Sequence, residues 1–392
     1  MNDKISVSKR IKSIDIIRGL SVALMIIGNN PGSWARNYPQ LRHSLWNGVT
    51  LVDFVFPFFI LAMSVSIPIA IENKFSKEKS TGFIIGDIIK RSLILIIFGI
   101  LLNYISNNDL KTIRIPGVLQ RLGFVYFVTS IIYITIRSLT FRKKLEEKNF
   151  KEDDYIKNYR YIIVSLLIIV LAIVVSYYFI AKPYGFFEEG NLAQKVDTMI
   201  LNGHLYNERF DPEGILTNIV AISTGCLGCA LGCIIKNNKK DDYKKLFEII
   251  IIGVVCLIGA FLFERVFPFN KRLWSSSFVL LTGGAFGVVL GILYFISDIK
   301  EKYKIFTPLI ALGSSAIFTY MALEIIDRTL WMVSINSKMF EEPLKFCNWV
   351  TYTFITPWAG QVYDSLIFSL GYLLVWIIIM MFMYRKKIFI RI

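Results

Sequence analysis

A chain of 392 residues that is 55% apolar and 15% aromatic, with a positive mean hydropathy, is not an ordinary soluble protein, since average globular chains are roughly 45–50% apolar. The net charge of +15 would point to nucleic acid in a soluble chain; here it follows from basic residues gathered in loops on one side of apolar runs, and nucleic-acid binding is set aside. Five cysteines, at 226, 229, 233, 256 and 347, give no disulfide framework, and four sit in apolar runs as small hydrophobes.

The apolar residues fall in blocks of about 17–25, long enough to cross a hydrocarbon core of ~30 Å. Ten spans are read, at 14–30, 50–71, 83–105, 116–136, 161–181, 213–235, 247–266, 277–297, 308–326 and 361–384. None alternates as a strand would, so helices are the expected spanning form. The fold class is an all-α polytopic transmembrane bundle forming one domain over 1–392, with no internal repeat. The basic start (Lys4, Lys9, Arg10, Lys12) leads into the first run without an Ala-x-Ala-like site, so that run is expected to remain as a span. Loop charge orients the bundle. With the N-terminus cytoplasmic, the inner segments carry 29 Lys and Arg and the outer segments 13, which predicts both termini inside. The third span carries Asp87, Lys90 and Arg91 near its inner end, where they can snorkel. The 137–160 loop reads as a solvated charged connector.

In the first span, Asp15 and Arg18 at i, i+3 can pair on one face. Asn29-Asn30-Pro31-Gly32 ends it, either as a simple Pro-Gly turn or with Asn29 as a donor to a developing oxyanion. His43-Ser44-Leu45-Trp46-Asn47-Gly48 follows in the outer loop. His43, one of two histidines, is either a base or nucleophile near neutral pH or an interfacial histidine bonded to its own loop. Thr50-Leu51-Val52-Asp53 fits a capping box; the alternative has Asp53 orienting His43 or a substrate group. Gln120 and Arg121, entering the membrane after Pro116-Gly117, are expected to face the bundle interior, where Arg121 suits an anion or a carboxylate. Asp211-Pro212-Glu213-Gly214 has the form of a helix start, with substrate contact by Asp211 or Glu213 the alternative. His204 is a weaker second histidine candidate. Cys226, Cys229 and Cys233 interleave with Gly225, Gly228 and Gly232; close helix packing is favoured over metal binding, because no fourth ligand is near. Asn270-Lys271-Arg272-Leu273-Trp274 forms a polar outer turn. Trp331, Trp349 and Trp358 read as interfacial anchors.

These residues together resemble the heparan-alpha-glucosaminide N-acetyltransferase-like membrane proteins. The resemblance is carried by Ser13-Ile14-Asp15-Ile16-Ile17-Arg18-Gly19-Leu20, the Asn29–Gly32 turn, His43-x-x-Trp46-Asn47-Gly48-x-Thr50-x-x-Asp53-x-x-Phe56-Pro57-Phe58, Pro116–Arg121, Asp211–Gly214, Asn270–Trp274 and Tyr384-Arg385-Lys386-Lys387-Ile388-Phe389. It implies an enzyme that moves acetyl from cytosolic acetyl-CoA to an amino sugar or glycan on the far side of the membrane. The family's active-site histidine falls on His43 and its active-site asparagine on Asn29. Asp53 would orient the imidazole. Asn30, Trp46, Asn47, Arg18, Gln120, Arg121, Asp211, Glu213, Lys271 and Trp274 are the expected substrate and acetyl-CoA contacts, with Lys90 and Arg91 drawing the phosphates at the inner mouth and no metal. The resemblance further implies a bacterial relative in the plasma membrane, with a homodimer as the expected assembly. A transporter or flippase for a sugar or amphiphile is the alternative, opposed by the lack of a repeat and of paired broken helices.

Overall fold

The computed structural model describes residues 11–107, 109–145, 152–207, 210–237, 240–336, 340 and 342–390. Lys4, Lys9 and Arg10 of the basic start and Glu146-Glu147-Lys148 of the charged connector lie outside the described residues. The expected spans fall on helices, the ninth on two of them. These are α1 (Lys12–Asn29), α2 (Val55–Phe75), α3 (Thr81–Asn107), α4 (Val118–Leu145), α5 (Glu152–Ala181), a short α6 (Leu192–Leu201), α7 (Ile215–Lys236), α8 (Asp242–Glu264), α9 (Ser276–Tyr294), α10 (Thr307–Ser314), α11 (Ala316–Met332), α12 (Phe346–Val350) and α13 (Thr356–Arg385). The molecule is an all-α polytopic membrane protein. Among the described residues, seven helices are long and apolar enough to cross a membrane, eight if a bent pair counts as one span. α1 and α3 fall outside that set; α1 carries Lys12, Asp15 and Arg18, and α3 carries Asp87, Lys90 and Arg91.

The helix α7 is the centre of the bundle: 89% of its apolar stretch is buried, against 22% for α8. Its small residues explain why. Gly228 leaves no room for a Cβ beside the Leu61 carbonyl and Ser64, and Gly232 none beside the Val65 carbonyl, so the backbones of α7 and α2 touch. The Cys226, Cys229 and Cys233 thiols are fully buried in that packing. The helices α8 and α9 pack along one another, α8 largely exposed and α9 largely buried, and α5 packs on α7.

The structure corrects the sequence reading in three places. The ninth span is not one rod: α10 and α11 meet at a bend of 65° at the buried Ser315, because Ser315 leaves helical geometry (φ −135°, ψ 42°). One broken helix is therefore present where none was expected. The segment between α11 and α12, where no strand was expected, forms a two-residue antiparallel ribbon, Ser334–Ile335 against Leu344–Lys345. The start of α7 also differs. Its N-cap is Gly214, and the Ile215 N–H is taken by the Asp197 carboxylate of α6 at 2.8 Å. Asp211 instead accepts from the Glu213 N–H at 2.9 Å in a local turn, because its side chain is engaged by Arg114.

At the opposite end, α1 starts without a cap of its own. Asp298, in the π turn Phe295–Ile299 after α9, accepts from Lys12 N at 2.7 Å and Ser13 N at 2.9 Å. Two of the orphan donors at the helix start are thereby satisfied, with a negative charge at the positive end of the dipole.

Candidate active site

Pro31 cannot continue α1, and the chain leaves the helix at Asn30. The outgoing loop is pinned to α13: Gly32 N donates to the Ser365 carbonyl, Ser33 N to Ser365 Oγ at 3.1 Å, and Arg36 pairs with the buried Asp364 at 2.7 Å. The 3₁₀ turn Pro39–Leu41 then delivers His43 back over the end of α1.

His43, Asp53 and Lys271 meet there. His43 Nδ1 is 2.8 Å from Asp53 Oδ1, and Lys271 Nζ is 3.4 Å from the same oxygen. The other oxygen, Oδ2, accepts from Ser44 N at 3.2 Å, Thr50 N at 3.0 Å and Thr50 Oγ1 at 3.0 Å. Both readings of Asp53 are thus realised at once: one oxygen caps the 3₁₀ turn Leu51–Phe54 and the other holds the imidazole. A carboxylate accepting from Nδ1–H fixes the tautomer and leaves Nε2 as a bare lone pair. Asp53 is fully buried and His43 is about half exposed.

The turn that carries Lys271 is rigid. Asn270 Oδ1 accepts from Leu273 N at 2.8 Å, Ser275 Oγ from Asn270 N at 3.0 Å, and the Lys271 carbonyl from Trp274 N at 3.1 Å. Trp274 has φ +50°, a strained conformation for a bulky residue. It is held by its indole N–H on Thr224 Oγ1 at 3.1 Å, by edge contacts to Phe56 and Phe278, and by the Arg121 guanidinium 4.6 Å from its ring. Burial pushes the Lys271 ammonium below its ordinary value, with Asp53 and Glu213 acting the other way.

His43, Asn29, Lys271, Glu213, Tyr320 and Glu324 are the polar lining of an otherwise apolar cavity of about 160 Å³. A second cavity of about 520 Å³ opens along the N-terminal half of α1, with Asp15, Arg18, Asn73 and Arg91 in its wall. Arg18 bonds Ser66 Oγ at 2.6 Å and lies 3.8 Å from Asp15, so the expected i, i+3 pair forms beside this cavity. Phe59, Leu122, Ala316 and Ile317 line both cavities. The break at Ser315 puts Ala316 and Ile317, the first residues of α11, into the wall that the two cavities share.

The remaining expected contacts lie outside the cavity walls. Arg121 is fully buried, and its hydrogen bonds go to neutral oxygens, Asn218 Oδ1 at 2.5 Å, the Pro212 carbonyl at 2.9 Å and Thr217 Oγ1 at 2.5 Å, where an anion or a carboxylate was expected. Gln120 donates to the Ile115 carbonyl at 3.0 Å. Asn30 is buried, with its carbonyl accepting from Ser369. Trp46 Nε1 donates to the Phe186 carbonyl at 2.8 Å, and Asn47 accepts from Asn270 at 3.1 Å, which joins the His43 loop to the Lys271 turn. His204 Nδ1 lies 2.8 Å from the Ile113 carbonyl, a strut for the loop that carries Arg114. Lys90 is exposed on α3 outside the second cavity, whereas Arg91 lines it. Tyr320, Glu324, Arg114 and Asp197 were missed. Glu324 is four residues after Tyr320, a same-face spacing in a span too apolar to leave it unpartnered, and that was the signal to use.

The family described as "Domain of unknown function (DUF5009)" matches residues 10–206, half the chain and the part that holds Asn29, His43 and Asp53. Heparan-alpha-glucosaminide N-acetyltransferase of Mus musculus is 28% identical over 363 residues, 82% of this chain and 54% of that protein. Its Homo sapiens counterpart is 29% identical over 426 residues, 97% of this chain and 59% of that protein. The chain spans little more than half the length of these curated relatives. It belongs to the DUF5009 family, and its likeness to the heparan-alpha-glucosaminide N-acetyltransferases extends over most of its length.

Proposed function

We propose that this protein is a transmembrane acetyltransferase that takes acetyl from acetyl-CoA at the cytoplasmic face and passes it to an amino-sugar or glycan acceptor on the other side of the plasma membrane. The observation that carries the reading is the pair of cavities meeting at Phe59, Leu122, Ala316 and Ile317, one with guanidinium groups and one with a carboxylate-oriented histidine. Arg18 and Arg91 suit the phosphates of the nucleotide. On this reading the apolar residues that the two cavities share form a neck for the thin pantetheine arm, which brings the thioester to His43.

In the transfer, the acceptor nitrogen attacks the thioester carbonyl carbon, the C–S bond breaks, and the departing thiolate takes up a proton. His43 Nε2 is the working atom, because Nδ1 is committed to Asp53. It removes the proton of the attacking amine, or it takes the acetyl itself and hands it on. The Asn29 amide is available to the oxyanion, where one such donor is typically worth about 3 kcal/mol. Glucosamine-dependent thiol release from acetyl-CoA by purified protein, lost in His43→Ala at unchanged expression, is the expected result. Turnover near the wild-type rate in that variant would remove His43 from the mechanism. The broken α10–α11 helix favours transport as a second reading; glucosamine uptake into vesicles without thiol release would establish it.

A further inference from the structure

His43 and Lys271 compete for one oxygen. Asp53 Oδ2 is fully committed to Ser44 and Thr50, so Oδ1 alone serves both His43 Nδ1 at 2.8 Å and Lys271 Nζ at 3.4 Å. The two nitrogens stand 3.1 Å apart. With Nδ1 protonated toward Asp53, both are donors, and that approach is no hydrogen bond between them. With the imidazole neutral, the trio carries one negative and one positive charge. Protonating the imidazole sets two cations side by side with a single carboxylate between them, at the edge of an apolar cavity.

We propose that Lys271 is a positioning residue that keeps His43 neutral, so that Nε2 stays a free lone pair and a positive charge on the ring is short-lived. This deepens, and rests on, the assignment of His43 as the working base. It reverses the familiar balance of a carboxylate–histidine pair, in which the carboxylate stabilises the imidazolium: the lysine cancels that stabilisation. In the transfer this has two consequences. A base that holds its proton weakly returns it quickly to the departing thiolate. An acetylated ring, if one forms, is a cation beside a cation and gives up its acetyl readily to the amine.

The other charged groups facing the trio do not substitute for Lys271. Glu213 acts on the Lys271 ammonium and is itself paired with Arg114. Arg121 lies behind Trp274 and adds positive potential to Lys271. Tyr320 and Glu324 face the same cavity from α11, and Glu324 is paired with Arg328 at 3.3 Å.

The chain has only two histidines, which gives a readout independent of turnover. In a His204→Gln background, the single remaining imidazole is followed by NMR of ¹⁵N-histidine-labelled protein in detergent between pH 4.5 and 9. The expected result is that Lys271→Met raises the midpoint of His43 by about one unit, the lower end of what a charge within ~4–6 Å does, and that Lys271→Arg restores it. The acid limb of the thiol-release profile moves with it, so that Lys271→Met loses most of its rate on the acid side of neutrality and least at high pH. An unchanged midpoint in a folded Lys271→Met protein overturns the proposal, as does a rise in acceptor KM with an unmoved acid limb, which would make Lys271 a substrate contact. Absence of thiol release from the wild type would instead defeat the acetyltransferase reading while leaving the titration result standing.

Discussion

Arg114 holds Asp211 in a two-pronged grip, Nε 2.8 Å from Oδ2 and Nη2 2.6 Å from Oδ1, and the same Nη2 reaches Glu213. Asp211 is fully buried. The fork ties the loop before α4 to the start of α7 and fixes Glu213 at the cavity wall. Its partners also hold the Arg114 guanidinium well above its ordinary value against the effect of burial. Removing one side of such a pair strands a buried charge, at a cost of roughly 3–5 kcal/mol. Arg114→Met is expected to lower the melting temperature in detergent by several degrees or to abolish expression. Arg114→Lys is expected to recover only part of it, because an ammonium cannot make the fork. A melting temperature for Arg114→Met within a degree of wild type would show that the pair is ornamental.

Asp197 gives a pH dependence. The carboxyl is buried, Oδ1 accepts from Ile215 N, and Oδ2 has no hydrogen-bond partner among the described residues. Burial pushes it up to about 7, with Asp211 nearby adding to the effect. A folded-state value above the unfolded one means that the folded protein binds the proton more tightly. The associated stability is fully present below about pH 4 and is lost as pH rises through 7. Across that window, at ~1.4 kcal/mol per unit, the effect is at most about 4 kcal/mol. Unfolding followed between pH 5 and 8 is expected to show the wild type losing stability as pH rises. Asp197→Asn keeps the acceptor for Ile215 and is expected to lose that slope. A parallel pH slope in both proteins would assign the dependence to other groups.

What the sequence disclosed and what it withheld follow from the range of the forces involved. Helices are written locally, in apolar blocks closed by Pro31-Gly32 or opened by Pro116-Gly117, and the expected spans lie on helices, the ninth on two of them. The pairing of His43 with Asp53 was legible because both sit in one loop ten residues apart. Lys271 was legible only as part of a polar turn, because its proximity to His43 depends on α9 packing against α2 and α7. The same holds for Arg114 and Asp211, 97 residues apart, and for the capping of α7 by Asp197. The break at Ser315 carries no proline or glycine at the hinge; Gly313 lies two residues earlier and serves a packing role. A buried arginine reads in sequence as an anion site, yet Arg121 meets neutral oxygens and an indole face instead.

Gly313 is where α10 presses on α1. A Cβ there would run into the Asp15 carbonyl, and one at Gly19 into the carbonyl of Leu309. Both obstacles are backbone, which cannot rotate away. Gly313→Ala is therefore expected to push the two helices apart and to cost on the order of 1–3 kcal/mol, the usual range for overpacking. It should also widen the second cavity, which Gly313 lines. The measurement is thermal unfolding beside acetyl-CoA affinity. A stabilised variant, as expected if the alanine merely favoured the helix, would refute the backbone contact.

The neck between the cavities offers the sharpest separation of binding from transfer. Ile317 lines both, partly buried at the start of α11 just past the break, and it touches neither the His43 trio nor the arginines of the second cavity in any hydrogen bond or ion pair. Ile317→Trp adds an indole where a pantetheine arm would have to pass. Acetyl-CoA binding, measured by calorimetry on the detergent-solubilised protein, is expected to stay within a few-fold of wild type, since the nucleotide end is unaffected. Acceptor-dependent thiol release is expected to fall by roughly 100-fold, the scale of loss that misplacing a reacting group by about 1 Å produces. Ile317→Ala opens the same neck and should leave transfer nearly intact, which controls for a general defect at this position. If Ile317→Trp binds and turns over like the wild type, the thioester does not travel through the neck, and acetyl-CoA would have to reach His43 from the same side as the acceptor.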